Sequence, residues 1–346
     1  MASDRKYESD EGLENTIEES RNQCVLKPDR INLCNYRLPV FLSLSERIIS
    51  RKFNYLRQYE ATLAAKHSAF LSHSQLTQRD RYANIRPWAH NIIQLNALKF
   101  PENYINASPI SLGRNHESFI ATQGPGPGDT ILHFWQMVWQ EKVEIIVMLT
   151  QCVEAGIEKC GVYLPFREAE QMSIKSSSEP LWGKVTCLIQ HTKDWGEIRL
   201  LRIVKEIDVG IFGERLVFHY LFRRWPDYQV PREKSDQKAL MDLIKLSRQY
   251  LGHFNGAPEG KFRPRIIHCS AGVGRTGTFI ALDHLLQELE ENKLDVVEDN
   301  KDPIFDTVQR LRQQRMGSVN TVQQYALIYQ ILRERWELRQ VDTSRP

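Results

Sequence analysis

The stretch richest in reactive residues is Arg265-Ile-Ile-His-Cys-Ser-Ala-Gly-Val-Gly-Arg-Thr-Gly-Thr278. It reads as a short apolar strand, a loop of small residues and the start of a helix. With Ala271, Gly272 and Gly274 in the loop, the amides from Ser270 to Arg275 can turn inward together, and the helix N-terminus adds its positive end. A dianionic phosphate suits that cradle. Cys269 opens the loop in the same positive field, which favours thiolate over thiol and makes the sulfur a nucleophile. Arg275 can fold over the cradle and bind two phosphate oxygens at once, a geometry that lysine cannot reproduce. Thr276 is placed to hydrogen-bond the sulfur.

Two other readings compete for the same letters. Gly272-x-Gly274-x-x-Gly277 follows a strand and precedes a helix, with Asp295 further on, as in a dinucleotide-binding turn. A cofactor oxidoreductase, however, has no use for a cysteine at the strand end or an arginine in the loop, and no second such unit exists. Burial is the common fate of a cysteine, but an arginine in the same tight loop argues against a core thiol.

Elements that must position this loop can be read along the chain. Ser43-Leu-Ser-Glu46 fits a capping box, and Ile48, Ile49, Phe53, Leu56, Tyr59 and Leu63 recur at helical spacing after it. The run at 144–150 reads as a buried strand. Further strands are expected at 183–190, 197–207 and 215–222, and helices at 235–252, 276–292, 303–315 and from Val322 to about Leu338. Strands mixed with helices, without an internal repeat or a Gly/Ser linker, predict one α/β (α+β) domain over residues 43–340. Residues 173–180 read as a surface loop. Residues 1–42 form an acidic tail expected to be disordered, and 341–346 a short C-terminal tail.

Composition excludes several classes. The net charge of the 346 residues is +3, yet the first twenty hold seven acids and two bases, so the tail is acidic and the body basic. No run of Lys and Arg with interleaved aromatics concentrates that charge, which disfavours nucleic-acid binding. The longest apolar stretch, Ile145 to Leu149, is far short of the roughly 18 residues that span a bilayer. The N-terminus carries no apolar signal segment, and an intracellular protein is expected. Six cysteines lie without CxxC pairing, against a disulfide framework or zinc site. There is no HExxH, and His67 and His73 are six apart, on different sides of a helix. Neither metal nor cofactor is expected. Phe134, Trp135 and Trp139 fit one helix face and read as core.

His268-Cys-Ser-Ala-Gly-Val-Gly-Arg-Thr-Gly277 resembles the signature loop of the tyrosine-specific protein tyrosine phosphatases. Other segments resemble that family in its order. They are Arg81-Tyr82, Asn103-Tyr-Ile-Asn-Ala-Ser108, Phe119-Ile-Ala-Thr-Gln-Gly-Pro125, Phe134-Trp-Gln-Met-Val-Trp139, Lys159-Cys160 with Tyr163 and Pro165, Trp225-Pro-Asp227 with Val230-Pro231, and Gln324-Tyr325. The resemblance covers about residues 45–340. It implies a twisted mixed β-sheet flanked by helices, and hydrolysis of phosphotyrosine in proteins through a phosphocysteine on Cys269.

By the same resemblance Arg275 grips the phosphate beside Ser270, Ala271, Gly272, Val273 and Gly274. Asp227 is the general acid and then the general base, on a loop anchored by Trp225. Expelling a phenolate whose acid has a pKa near 10 benefits from such a donor. Tyr82 stacks on the substrate ring, Glu154 steadies Arg275, and His268 and Thr276 support the loop. The chain departs from the pattern at several places. Asn84 stands where an Asp often grips the substrate backbone, and Asn320 where a Gln places the attacking water, with Gln324 matching the second glutamine. Leu164 replaces a common Trp, and Tyr228-Gln229 an aromatic or His followed by Gly. The implied partners are tyrosine-phosphorylated proteins, in a cytoplasmic setting with nuclear access. Asn84 and Asn320 keep a second reading open: a phosphotyrosine-binding module with slow turnover.

Overall fold

Ile145–Met148 forms a strand in which all four side chains are buried. Ile145 and Val147 join one apolar cluster, and Ile146 and Met148 join another on the opposite face. A strand covered on both sides has no polar face to alternate with, which is why it reads as an unbroken apolar run. The computed structural model describes residues 37–66, 77–96, 103–113, 118–126, 129–175, 181–249 and 263–343. Its strands are β1 (Ala107–Ser111), β2 (Ser118–Thr122), β3 (Ile145–Met148), β4 (Val153–Glu154), β5 (Ile157–Glu158), β6 (Gln171–Ile174), β7 (Gly183–Lys193), β8 (Gly196–Asp208), β9 (Ile211–Phe222) and β10 (Arg265–His268). Its α-helices are α1 (Glu46–Lys66), α2 (Asp129–Gln140), α3 (Lys234–Gln249), α4 (Gly274–Glu290), α5 (Pro303–Gln314) and α6 (Val322–Thr343).

Eight strands make one mixed sheet in the order β1-β2-β10-β3-β9-β8-β7-β6, while β4 and β5 pair separately. The centre is parallel: β10 lies between β2 and β3, and β3 continues parallel to β9. One face is covered by helices that contribute Phe53 from α1, Leu240 from α3, Phe279 from α4, Val308 from α5 and Ile328 from α6. Against the other lie Phe134, Trp135 and Val138 of α2, with Val185, Leu201 and Val217 of the long antiparallel strands. This is the expected single domain with a helix-flanked mixed sheet. Phe134 and Trp135 are core, as expected, and Trp139 is partly buried against the same cluster. Among the described residues no helix is long and apolar enough to cross a membrane.

The structure corrects several boundaries. Phe41 and Leu42 are buried in a 3-10 turn over Val40–Ser43, so the folded body begins before the expected residue 43. The first helix starts at Glu46, and the Ser43 hydroxyl donates to the Val40 carbonyl at 2.8 Å instead of capping that helix. Local hydrogen bonding competes with capping for a serine in a turn. Ser173 and Ile174 belong to the edge strand β6, paired with Lys184 and Gly183, so the expected loop is shorter. The last helix continues to Thr343. The acidic segment before residue 37, and His67 and His73, lie outside the described residues.

Candidate active site

Cys269 follows β10 directly, so the sheet centre fixes the position of its sulfur. The loop it opens runs into α4 at Gly274. Every carbonyl of that loop is bound from outside. Cys269 O faces His268 Nδ1 at 3.3 Å, and Ser270 O accepts from Gly124 N at 2.9 Å. Ala271 O and Gly272 O accept from Arg315 at 3.1 and 2.7 Å, and Val273 O accepts from Gly277 N at 2.8 Å. In a trans peptide the carbonyl and the next amide point in opposite directions, so outward carbonyls turn the following amides inward. One of these amides, Gly272 N, donates to the Cys269 sulfur at 3.2 Å. Gly272 has φ +70, and a Cβ there would lie 2.1 Å from Thr122 O. Only glycine fits that turn against β2.

Arg275 is 2% exposed and makes four contacts. One η-nitrogen donates to Glu154 Oε1 at 2.8 Å and to Trp225 O at 2.9 Å; the other donates to Asp227 Oδ1 at 2.9 Å and reaches Thr150 Oγ1 at 3.4 Å. Burial works against its charge, but the Cys269 sulfur, Glu154 and Asp227 outweigh it and raise its pKa. Glu154 also accepts from Thr150 and from the Gln151 amide. Asp227 is held by a second cation, Lys159, at 2.7 Å. That bond is the main cause of the rise in the Lys159 pKa. Trp225 donates its indole N–H to Gln229 O at 2.9 Å, closing the turn that carries Asp227. Inside this turn Tyr228 adopts φ +55, a strained backbone for an aromatic residue.

These groups face one cleft lined by Tyr82, Asn84, Asp227, Cys269, Ser270, Ala271, Val273, Gly274, Arg275, Asn320 and Gln324 among others. The Tyr82 hydroxyl and Ser270 Oγ are 2.8 Å apart, and Ser270 Oγ donates to Lys159 O at 2.8 Å. Tyr82 is thereby tied to the rim of the loop as the donor. Gln324 Oε1 accepts from the amides of Asn320 and Thr321 at 3.0 and 3.3 Å. Its amide group sits against Gly274, where a Cβ would come within 3.1 Å of Nε2. The carboxamide N–H groups of Gln324 are thus left toward the loop.

The structure brings together nearly all the residues read from the sequence. Gly272, His268, Trp225 and Glu154 lie behind the cleft and not on it. Thr276 departs from expectation: its Oγ1 is buried with no hydrogen-bond partner and makes no bond to the sulfur. The Gly272 amide takes that place.

Several supports escaped sequence reading. Lys159 belongs to a segment that resembles the family's but carries no role by that resemblance. Arg315, fully buried, clamps the loop carbonyls and reaches Asn106 and Ser108; burial pushes its pKa down to about 10. At the end of a basic helix it reads as a solvated charge. The Tyr163 hydroxyl stands between His268 Nε2 at 2.8 Å and His219 Nε2 at 2.9 Å. Burial pushes the pKa of His268 down to about 4, the bond to the Cys269 carbonyl and the nearby arginines being smaller influences. The neutral ring therefore donates from Nδ1 to that carbonyl and accepts from Tyr163 at Nε2.

A strand–loop–helix anion cradle with a cysteine at its mouth and an arginine on the first turn of the helix defines a class of phosphatases. The profile of the protein-tyrosine phosphatase family matches residues 76–334, and the chain belongs to that family. Human receptor-type tyrosine-protein phosphatase C is 36% identical over 261 residues, 74% of this chain and 18% of its own length. Rat phosphatidylinositol phosphatase PTPRQ is 34% identical over 259 residues, 73% of this chain and 10% of its own length. The chain thus spans less than a fifth of these relatives. A solved structure of PTPN18 in complex with HER2-pY1196 phosphor-peptides superposes with a TM-score of 0.69 at 24% identity, covering 84% of this chain and 93% of that one.

Proposed function

We propose that this chain hydrolyses phosphotyrosine in proteins through a phosphocysteine on Cys269. The observation that carries the reading is the bridge from Arg275 to Asp227, at 2.9 Å, which places a carboxyl at the same cradle as the nucleophile. The phosphate dianion binds the inward amides and takes the Arg275 η-nitrogen that Asp227 holds, displacing Asp227 from one of its two cations. The Cys269 sulfur attacks phosphorus as the P–O bond to the phenol breaks, and Asp227, which takes up a proton from solvent on leaving Arg275, passes it to the departing phenolate oxygen. Water then attacks the phosphocysteine, positioned by the free N–H groups of Gln324 and by Asn320, while Asp227 takes its proton. Tyr82 at the rim offers a flat face to an aromatic ring, which supports an aryl phosphate over an alkyl or inositol phosphate.

The natural partners on this reading are tyrosine-phosphorylated proteins of intracellular signalling, in the cytoplasm or nucleus. The test is phosphate release from a phosphotyrosine peptide, a phosphoserine peptide and a phosphoinositide, with EDTA and reductant present. Expected are steady turnover of the phosphotyrosine peptide alone, unaffected by EDTA, and its loss in Cys269→Ser. A stoichiometric burst that then stalls, relieved by Asn320→Gln, would favour the phosphotyrosine-binding reading. Preference for the phosphoinositide would overturn the substrate assignment.

A further inference from the structure

The small hairpin behind the cleft carries two cysteines for which the proposed reaction has no use. Its register pairs Val153 with Glu158 and Glu154 with Ile157. One step further, the amides of Lys159 and Cys160 both donate to the carbonyl of Cys152, at 2.8 and 3.2 Å. Two residues oppose one, a β-bulge, and such bulges re-aim side chains. Here the bulge leaves the Cys160 thiol beside that of Cys152. Both sulfurs also face the Gly161 carbonyl, at 3.9 and 3.4 Å. Both cysteines are unlinked; Cys160 is buried and Cys152 partly exposed.

We propose that Cys152 and Cys160 form an oxidisable dithiol that reacts with hydroperoxides to give a disulfide across the base of this hairpin. The Cys152 thiol is drawn down, first by the hydrogen bond from Cys160 and against its own burial, whereas burial pushes the Cys160 thiol up. The exposed, more acidic member therefore attacks first. The Cys152 thiolate takes one oxygen from the peroxide, whose O–O bond breaks, giving a sulfenic acid and hydroxide, which becomes water with the proton Cys152 lost. The Cys160 sulfur then attacks the Cys152 sulfur. The S–O bond breaks, and the hydroxyl leaves as a second water with the Cys160 proton. The crosslink would fasten the hairpin that supplies Glu154 to Arg275 and Lys159 to Asp227.

A rival pairing is built into the same region. A Cβ on Gly124 would lie 2.9 Å from the Cys269 carbonyl and 3.1 Å from the Cys160 sulfur, so only one residue separates Cys160 from the backbone of Cys269. The proposal does not depend on the phosphatase reading, because its readout is mass and not turnover.

The full chain is treated with hydrogen peroxide, blocked with an alkylating agent, digested with trypsin without reduction, and its crosslinked peptides are sequenced by mass spectrometry. Expected is a linked pair of peptides 143–159 and 160–167, lost on reduction. It is present in Cys269→Ser and absent in Cys152→Ser, whose basal turnover is unchanged. Linkage of 160–167 to 266–275 instead would overturn the proposal. So would alkylated Cys152 and Cys160 at peroxide levels that fully oxidise Cys269. The wild-type and Cys269→Ser digests decide the matter even should Cys152→Ser fail to fold.

Discussion

Asp227 is held between Arg275 and Lys159, and on the proposed mechanism it leaves the first of these when phosphate arrives. A proton donor matters only when the leaving group is a poor one. Asp227→Asn is therefore expected to lower kcat on phosphotyrosine by about 10²–10⁴, while an aryl phosphate with a strongly acidic phenol loses little. A plot of kcat against leaving-group pKa checks this, since the variant's slope becomes steeper; parallel lines for both proteins would count against the role. Cys269 and Arg275 stand out because reactive types lie at close, unusual spacing, whereas Asp227, by itself an ordinary loop acid, is singled out only by the family resemblance of its Trp-Pro-Asp segment. Lys159 is not, because its ion pair is made only when two distant segments meet. Thr276 shows the opposite failure: proximity in sequence suggested a bond to sulfur, but its hydroxyl is buried without one.

The loop keeps its shape because other elements hold its carbonyls. Gly124 after β2, Arg315 after α5 and Gly277 in α4 each take one or more of them. Gly272 makes the reversal possible, with its α-carbon packed against Thr122 of β2. Gly272→Ala combines a positive φ with a backbone clash, and is expected to cost about 3 kcal/mol or more and to abolish turnover. Chemical denaturation beside an activity assay measures both; a fully stable, active alanine variant would contradict the geometry. The strand, loop and helix around Cys269 were readable from apolar run and small residues. Arg315 was not, because a charge near a helix end looks solvated until the tertiary fold closes over it. The first helix begins at Glu46 and is not capped by Ser43 for a related reason: the turn at Val40–Ser43 takes the Ser43 hydroxyl.

At the scale of the molecule, a sheet covered on both faces leaves buried histidines that must remain neutral. Burial pushes His268 and His133 down from 6.5 to about 4. Between those values the unfolded chain binds protons that the folded chain does not. The stability linked to each histidine is therefore complete above pH 6.5 and is lost as the pH falls toward 4. Each is expected to account for about 2 kcal/mol of lost stability between pH 7 and pH 5. Urea unfolding at the two pH values checks the total, and His133→Gln should flatten the dependence; an unchanged profile in that variant would exclude His133 as a contributor. The alternation of buried strands with amphipathic helices made the architecture legible, because both follow from local pattern. Strand order does not, since it depends on long-range pairing.

The central claim is that the phosphoryl group passes through Cys269. Its most direct test is rapid acid quenching during turnover of a phosphotyrosine peptide, followed by mass spectrometry of tryptic peptide 266–275. A phosphate on that peptide through Cys269, appearing within the first turnover and accumulating further when Gln324 is replaced by Ala, is the predicted result. Steady phosphate release with no phosphorylated 266–275 at any quench time, in the wild type or in Gln324→Ala, would contradict it.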